Sequence, residues 1–457
     1  MNLFLPPALD AIVRDLHGRG FRALVVGGAV RDALLGLEPK DIDIEVYGIT
    51  YDRLAEVLSR HGRIDVVGKS FGVVNFAASN GEACHFSVPR RDNKIGLGHR
   101  DFLATFDENI TPREAASRRD FTINALAFDP VSGELLDFFR GVPDLEKRIL
   151  RATSDAFSED PLRVLRGMQF ACRFDLALDP ATAEKSRVIA GEYSTLPKER
   201  VAEEFMKWAV KSVKPGRIAE YLAATGWLVH FPEIEQITHT MHVVNAAAAI
   251  ADRDGLEGDE RAVLLFAALT HDFAKAGTTA LREKNGALRW TSYGHEAAAG
   301  IAARNFLERI GIKGAIVEHV VPLVENHLVH SHLGMDVTPR NVRRLAVRLA
   351  PASIAQLVRL IEADASGRPP RPAGLPEAAA RIRDMAAAQA VERQPQLPLI
   401  LGRHVLPYFG SRPGKHIGAV TRAAYEAQLD GAFSTEEEAL KWLDEYIGIR
   451  QWEVGSR

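Results

Sequence analysis

Asp41 and Asp43 stand two residues apart in the run Asp41-Ile42-Asp43-Ile44-Glu45-Val46. Acid and aliphatic residues alternate strictly there, as along a half-buried strand, so the carboxylates project from one face. Such a pair suits two divalent cations, which activate an attacking hydroxyl and steady a departing pyrophosphate, the chemistry of nucleotidyl transfer. Glu45 falls on the same face as a third acid. Upstream, Gly27-Gly28 forms a turn whose backbone N–H groups can approach phosphate closely, with Arg31 as a charged clamp on the helix that follows.

A second set of residues is rich in histidine. Nine of the fifteen histidines fall between His230 and His332. The dipeptide His271-Asp272 follows an apolar helix over residues 263–269 and precedes Lys275, while His239, His295 and His327 lie in helical text on either side. Imidazoles and carboxylates brought from separate helices gather a divalent metal in a bundle.

Several elements must position these groups. At 457 residues the chain exceeds one hydrophobic core and implies about three or four modules. Its 46% hydrophobic and 26% charged residues exclude wholesale disorder and fibrous repeats. Leu9, Ile12, Val13 and Leu16 repeat at helical spacing; residues 21–26 read as a strand feeding the glycine turn, and 30–35 as a helix. Short strand-like runs at 63–67, 73–77 and 84–88 make residues 1–145 a mixed α/β module. Helical periodicity then takes over, with stripes at Leu162, Leu165, Met168 and Cys172 and at Val201, Phe205, Trp208 and Ala209. The Pro- and Gly-rich stretch 364–376 reads as a linker before a C-terminal helical unit.

Composition narrows the function classes. Cys84 and Cys172 occur in no paired spacing, which gives neither a zinc knuckle nor a disulfide framework. A net charge of −3 excludes a globally basic nucleic-acid binder but leaves room for a local track. Arg340, Arg343, Arg344 and Arg348, on one helix stripe, form such a track for RNA phosphates. No apolar run approaches the ~20 residues of a membrane span, and the start MNLFLPPALD lacks signal-peptide character, so no membrane partner and a cytoplasmic location are expected.

Residues 27–36, Gly-Gly-Ala-Val-Arg-Asp-Ala-Leu-Leu-Gly, followed by Asp41-Ile42-Asp43, resemble the signature of the class II tRNA nucleotidyltransferase and bacterial poly(A) polymerase family. Arg118-Arg119-Asp120-Phe121-Thr122-Ile123-Asn124-Ala125 is similar to that family's ribose and triphosphate motif, and Gly141-Val142-Pro143-Asp144-Leu145 to its hinge. Glu159-Asp160-Pro161-Leu162-Arg163 resembles its nucleobase-template motif. His239-Thr240, His271-Asp272 with Lys275, and Gly294-His295-Glu296 resemble the HD phosphohydrolase domain that several bacterial members carry.

The resemblance implies an α+β chain: an N-terminal polymerase-β-like nucleotidyltransferase sheet domain (1–145), then an all-helical neck and body (146–229), an HD domain (230–350), and a linker with a helical tail (351–457). It implies Asp41 and Asp43 as catalytic magnesium ligands. Gly27, Gly28, Arg31, Arg119, Asp120, Asn124, Asp160, Arg163 and Arg166 would surround the nucleotide. In the HD domain His239, His271, Asp272 and His295 would hold a divalent metal such as manganese, nickel or magnesium.

The chemistry of the template pair agrees. Arg163 lies three residues after Asp160, with Pro161 tolerated at the helix start, so a donor and an acceptor share one side of the first turns. The carboxylate can take the exocyclic amine of C or A, whereas the carbonyl oxygens of G and U would oppose it. The implied activity is CCA addition to tRNA from CTP and ATP, with hydrolysis of phosphomonoesters or 2′,3′-cyclic phosphates at the HD centre. Its rivals are a poly(A) polymerase or A-adding enzyme of the same family, and an HD phosphohydrolase whose first domain only binds RNA. Gln169 stands where the family often has an arginine, and Leu328 follows His327 where an aspartate often completes the HD set. Residues 90–111, with Arg90, Arg91, Lys94, Arg100 and glycines 96 and 98, resemble the flexible loop used in switching from C to A.

Overall fold

The computed structural model describes residues 5–39, 41–65, 72–77, 83–94, 102–234, 238–284, 287–409 and 414–455. Two compact units divide the chain, residues 1–236 and 237–457.

The first unit begins with helix Pro7–Gly18, which starts on a proline whose missing N–H costs nothing at that position. Its stripe of Leu9, Ile12, Val13 and Leu16 is buried in one core with the sheet residues Val25, Ile44, Val46 and Phe86. The strands are β1 (Arg22–Val26), β2 (Asp43–Tyr47), β3 (Arg63–Asp65), β4 (Val73–Ala77), β5 (Ala83–Ser87), β6 (Arg90–Lys94), β7 (Phe102–Phe106), β8 (Ala127–Phe128) and β9 (Leu135–Leu136). Seven of them form one sheet in the order β3-β4-β5-β2-β1-β8-β9. Strand β2 runs parallel to β5 and antiparallel to β1.

Burial alternates along β2: Ile44 and Val46 face the core, Asp43 is exposed and Glu45 half-buried. The strand opens at Asp43, so Asp41 lies just ahead of it rather than within it. The register pairs Val26 with Asp43. The end of β1, with Gly27 next in the chain, therefore sits beside the first residue of β2, and one end of the sheet carries both the glycine turn and the acid pair.

The expected loop 90–111 is in part a hairpin, because β6 and β7 pair antiparallel and Phe102, Thr105 and Phe106 favour extended backbone. Arg100 and glycines 96 and 98 lie outside the described residues. Beyond residue 145 come β10 (Ile149–Leu150) and β11 (Ala177–Leu178), a short parallel pair, and two packed helices, Leu162–Phe174 and Lys198–Lys211, whose buried faces carry both stripes read from the sequence.

The second unit is a bundle that includes Thr238–Arg253, Gly258–Thr270, His295–Arg309, Gly314–Asn326 and Ile354–Ser366. Two expectations are corrected here. The helical part contains a hairpin, β12 (Ala280–Lys284) with β13 (Ala287–Thr291); the Asn285-Gly286 dipeptide between the strands is a hairpin-turn signal that helical periodicity obscures. The linker read as starting at residue 364 begins later, since Asp364 is buried within Ile354–Ser366, whose stripe of Leu357, Leu360 and Ile361 carries the helix past 360 and against Thr238–Arg253. A smaller core built on Val405, Val420, Ala424, Phe433 and Leu443 holds the tail helices Lys415–Asp430 and Glu436–Gly455. Among the described residues no helix is long and apolar enough to cross a membrane.

Candidate active site and metal centre

Gly27 leaves β1 in the left-handed conformation, φ +72°, and a Cβ there would come 2.7 Å from Nη1 of Arg119. Only glycine lets that guanidinium lie against the turn. The turn opens into a cleft of about 460 Å³ lined by Gly27, Gly28, Arg31, Asp43, Arg119, Asp120, Asn124, Asp160, Arg163 and Arg166. All nine residues expected around a nucleotide thus share one cleft with Asp43. Asp41 is not among the lining residues; it lies exposed just before β2.

The cleft is strongly cationic, and much of that charge is arranged by Asp120. Burial opposes ionisation of this carboxyl, but Arg166, Asn124 and Arg163 together outweigh it and hold Asp120 below the usual carboxylate range. Oδ1 accepts from the backbone N–H of Phe121 at 2.8 Å and from Nδ2 of Asn124 at 2.9 Å, and Oδ2 from Nε of Arg166 at 2.8 Å. Asn124 in turn accepts from Nη1 of Arg31. With both oxygens spent, Asp120 positions the arginines. Arg31 lies over the rings of Phe170 and Phe174, which also take Arg166 and Arg173 respectively. Arg163 donates to the carbonyls of Ala156 and Arg118 at 2.9 and 2.7 Å, while Asp160 Oδ1 accepts from the Leu162 N–H at the start of the same helix.

Sequence reading missed Arg173, Arg200, Lys207 and Lys211, which also line the cleft. Their signal is helical period: positions 163, 166, 170 and 173 share one face of Leu162–Phe174, and 200, 207 and 211 one face of Lys198–Lys211. Gln169 is buried in the lining, and its Oε1 has no hydrogen-bond partner among the described residues. Glu45 is not a spare metal ligand: it accepts from the Tyr47 hydroxyl and lies 3.9 Å from Nη2 of Arg119. Asp43 fits a cation better, being 54% exposed and 3.4 Å from Nδ1 of His85.

In the second unit six side chains converge from five segments. His239 lies on Thr238–Arg253, His271 and Asp272 follow Gly258–Thr270, His295 opens its helix, His327 closes Gly314–Asn326, and Asp364 lies near the end of Ile354–Ser366. They form two groups, His239 with His271 and Asp364, and Asp272 with His295 and His327, each offering ligand atoms within 4.8 Å of one another. Nε2 of His239 is 2.8 Å from Asp364; Nε2 of His271 is 3.4 Å from Asp272 and 3.6 Å from Asp364; Nε2 of His295 is 3.5 Å from Asp272.

The outer nitrogens explain this orientation. Nδ1 of His239, His271, His295 and His327 pairs with the backbone carbonyls of Gly367, Ala268, Ser292 and Val324 at 2.6 to 2.9 Å. A carbonyl can only accept, so each Nδ1 carries the proton and each Nε2 is turned inward as a potential ligand atom. Burial opposes both carboxylates, yet His271 beside Asp272 and His239 beside Asp364 keep them well below the usual range. Burial would also lower His271, but Asp272 and Asp364 raise it to about 9. Burial and then the charge on His271 lower His327 to about 3. Four imidazoles and two carboxylates so gathered could hold a divalent metal ion. His239, His271, Asp272 and His295 are all among them, and Asp364 joins the cluster where Leu328 stands after His327 in the sequence.

The family model of the poly A polymerase head domain matches residues 23–151, and that of the HD domain residues 237–361. A multifunctional CCA protein of Xanthomonas campestris pv. campestris is 33% identical over 371 residues, covering 75% of this chain and 85% of its own. The chain belongs to the multifunctional CCA protein family. It is accordingly a nucleotidyltransferase with an HD domain, and both domains of the CCA family imply use of divalent metal. Another multifunctional CCA protein, from Azoarcus sp., is 37% identical over 309 residues, 63% of this chain and 69% of the relative. The fold is also that of the Bacillus stearothermophilus CCA-adding enzyme solved with CTP, at TM-score 0.69 and 22% identity over 98% of this chain and 100% of that one. The Thermotoga maritima CCA-adding enzyme complexed with tRNA gives 0.61 and 19% over 97% and 96%.

Within this CCA-family chain the arginine stripe also makes contacts of its own. Arg340 and Arg344 pair with Asp430, Arg344 also with Glu426, and Arg343 donates to the Leu429 carbonyl and to Gln389. Helix Lys415–Asp430 brings its acidic end onto the stripe, so these arginines help anchor the tail, with Arg340 and Arg344 still 58% and 40% exposed. Arg348, the fourth, is exposed.

Proposed function

We propose that this chain adds and repairs the 3′-terminal CCA of tRNA, taking CTP and ATP without a nucleic-acid template. The carrying observation is the gathering of ten motif residues from residues 27–166 into one cationic cleft. Magnesium ions held by Asp41 and Asp43 would supply activation of the primer 3′-hydroxyl and neutralise the leaving pyrophosphate. The chain's own groups do the rest. Gly27 and Gly28 admit the triphosphate, Arg31, Arg119 and Arg166 balance its charge, and Asp120 with Asn124 keeps Arg31 and Arg166 in place. Asp160 accepts from the exocyclic amine of C or A, and Arg163, held by two carbonyls, donates to the neighbouring ring acceptors. The sheet domain (1–145) carries the transfer and the helical segment (146–229) the base selection, in the cytoplasm.

The second centre acts as a metal-dependent hydrolase of phosphomonoesters or 2′,3′-cyclic phosphates, with manganese, nickel or magnesium on His239, His271, Asp272, His295, His327 and Asp364. The donor chemistry supports this, since each imidazole fixes its Nδ1–H on a main-chain carbonyl and turns Nε2 inward.

The test is incorporation of CTP and ATP, alone and together, into tRNA transcripts ending before CCA, after C and after CC. Addition of C, C and A that then stops is expected. A alone on the CC-ended transcript would make this an A-adding enzyme, long A tracts on unrelated RNA a poly(A) polymerase, and no addition would leave hydrolysis as the main activity.

A further inference from the structure

The hairpin β12–β13 is inserted between Asp272 and His295, two of the residues assigned to the metal centre. Its base is tied to that centre. Thr279 and Ser292, at the two ends of the hairpin, pair hydroxyl to hydroxyl at 2.7 Å. Thr279 also donates to the Lys275 carbonyl, Lys275 Nζ donates to Asp272, and the Ser292 carbonyl holds Nδ1 of His295.

What the hairpin presents to solvent is unusual for a surface ribbon. The register sets Leu281 opposite Trp290 and Glu283 opposite Leu288, so Leu281, Leu288 and Trp290 share one face. Trp290 is 72% and Leu288 68% exposed. On the other face Arg282 lies directly opposite Arg289, and neither forms an ion pair with a carboxylate among the described residues. Like charges directly opposite destabilise a strand pair unless an anion joins them. Arg282 also lies over the ring of the exposed Tyr293. The two strands run only about 5 Å apart. A polymer crossing the ribbon's edge therefore meets an open indole on one face and two unbalanced guanidiniums on the other.

We infer that this hairpin is a single-stranded RNA clamp, which stacks a 3′-terminal base on Trp290, takes backbone phosphate on Arg282 and Arg289, and delivers the RNA end to the adjoining centre. Base–aromatic stacking and arginine–phosphate contact together are the means by which proteins hold single strands without reading sequence. The inference rests on the hydrolase reading of that centre and gives its substrate a class: an RNA end, in preference to a free mononucleotide.

The test compares full-length chain with Trp290→Ala and with Arg282→Ala/Arg289→Ala on an oligoribonucleotide ending in 2′,3′-cyclic phosphate and on 2′,3′-cyclic AMP. Each variant is expected to raise KM for the oligoribonucleotide by about tenfold, the loss that follows removal of one stack, while kcat/KM on the mononucleotide and CTP incorporation hold. Equal losses on both substrates, or no change on either, would overturn the clamp. A wild-type chain that hydrolyses neither removes the hydrolase reading alone. The clamp is then read by photocrosslinking of an oligoribonucleotide with 3′-terminal 4-thiouridine: a crosslink on the β12–β13 peptide, weakened in both variants, supports it, and its absence overturns it.

Discussion

Nε2 of His239 lies 2.8 Å from Oδ1 of Asp364, although 125 residues of chain separate them. The contact joins the first and last members of the proposed metal centre. Asp364→Ala removes a donor outright, and loss even of an outer partner typically lowers metal affinity about 10- to 100-fold. Metal content by mass spectrometry should fall at least that far and hydrolysis with it, while CTP and ATP incorporation continue. Retained metal would remove Asp364 from the donor set.

Metal uptake at this centre should release a proton. His271, raised to about 9 between Asp272 and Asp364, is protonated in the metal-free site at pH 7.5, and ligation requires the neutral ring. Affinity should therefore climb about tenfold per pH unit between roughly pH 7 and 9 and level off above. Calorimetry in buffers of different ionisation enthalpy reads the proton directly; a heat independent of buffer would contradict the assignment.

Asp43 and Glu45 should behave differently despite sharing a strand face. Asp41→Ala and Asp43→Ala should each lower CTP incorporation by about 10³-fold or more, the scale of losing charge stabilisation in a transition state, with hydrolysis at the second centre unchanged. Glu45→Gln, which keeps a partner for the Tyr47 hydroxyl, should cost far less. Equal losses across the three would place Glu45 among the metal ligands.

Gly27→Ala tests the turn. The residue would hold a positive φ, costing roughly 1–3 kcal/mol, and its Cβ would displace the Arg119 guanidinium 2.7 Å away. KM for both nucleotides should rise about tenfold, as loss of one charged hydrogen bond implies, with only a small drop in melting temperature.

Arg166→Met should cost stability as well as nucleotide affinity. It leaves Asp120 buried without its cation, a loss of roughly 3 kcal/mol, and denaturant unfolding should show it. Arg163→Met, which frees two carbonyls and no buried carboxylate, should lose less.

Much of this was open to reading in the residues. The alternation of Asp43, Ile44, Glu45 and Val46 is legible because a half-exposed strand sorts polar from apolar by parity, and the core stripes of Pro7–Gly18 and Leu162–Phe174 because a helix sorts them by turn. Asp364 is not legible, because it sits just before a Gly/Pro-rich run that masks the end of its helix, and its partner is far away in sequence. Spacing likewise shows that Arg340, Arg343 and Arg344 are basic but not that Asp430 and the Leu429 carbonyl have claimed them.

The four imidazoles of the second unit are each fastened to main-chain carbonyls. The backbone of the bundle therefore sets the aim of each inward Nε2, so an ion bound there would meet ligands already oriented. Its exchange should then leave the helices that carry those ligands in place. Replacing one ion by another there should then change the rate of hydrolysis while the transferase in the same chain goes on working.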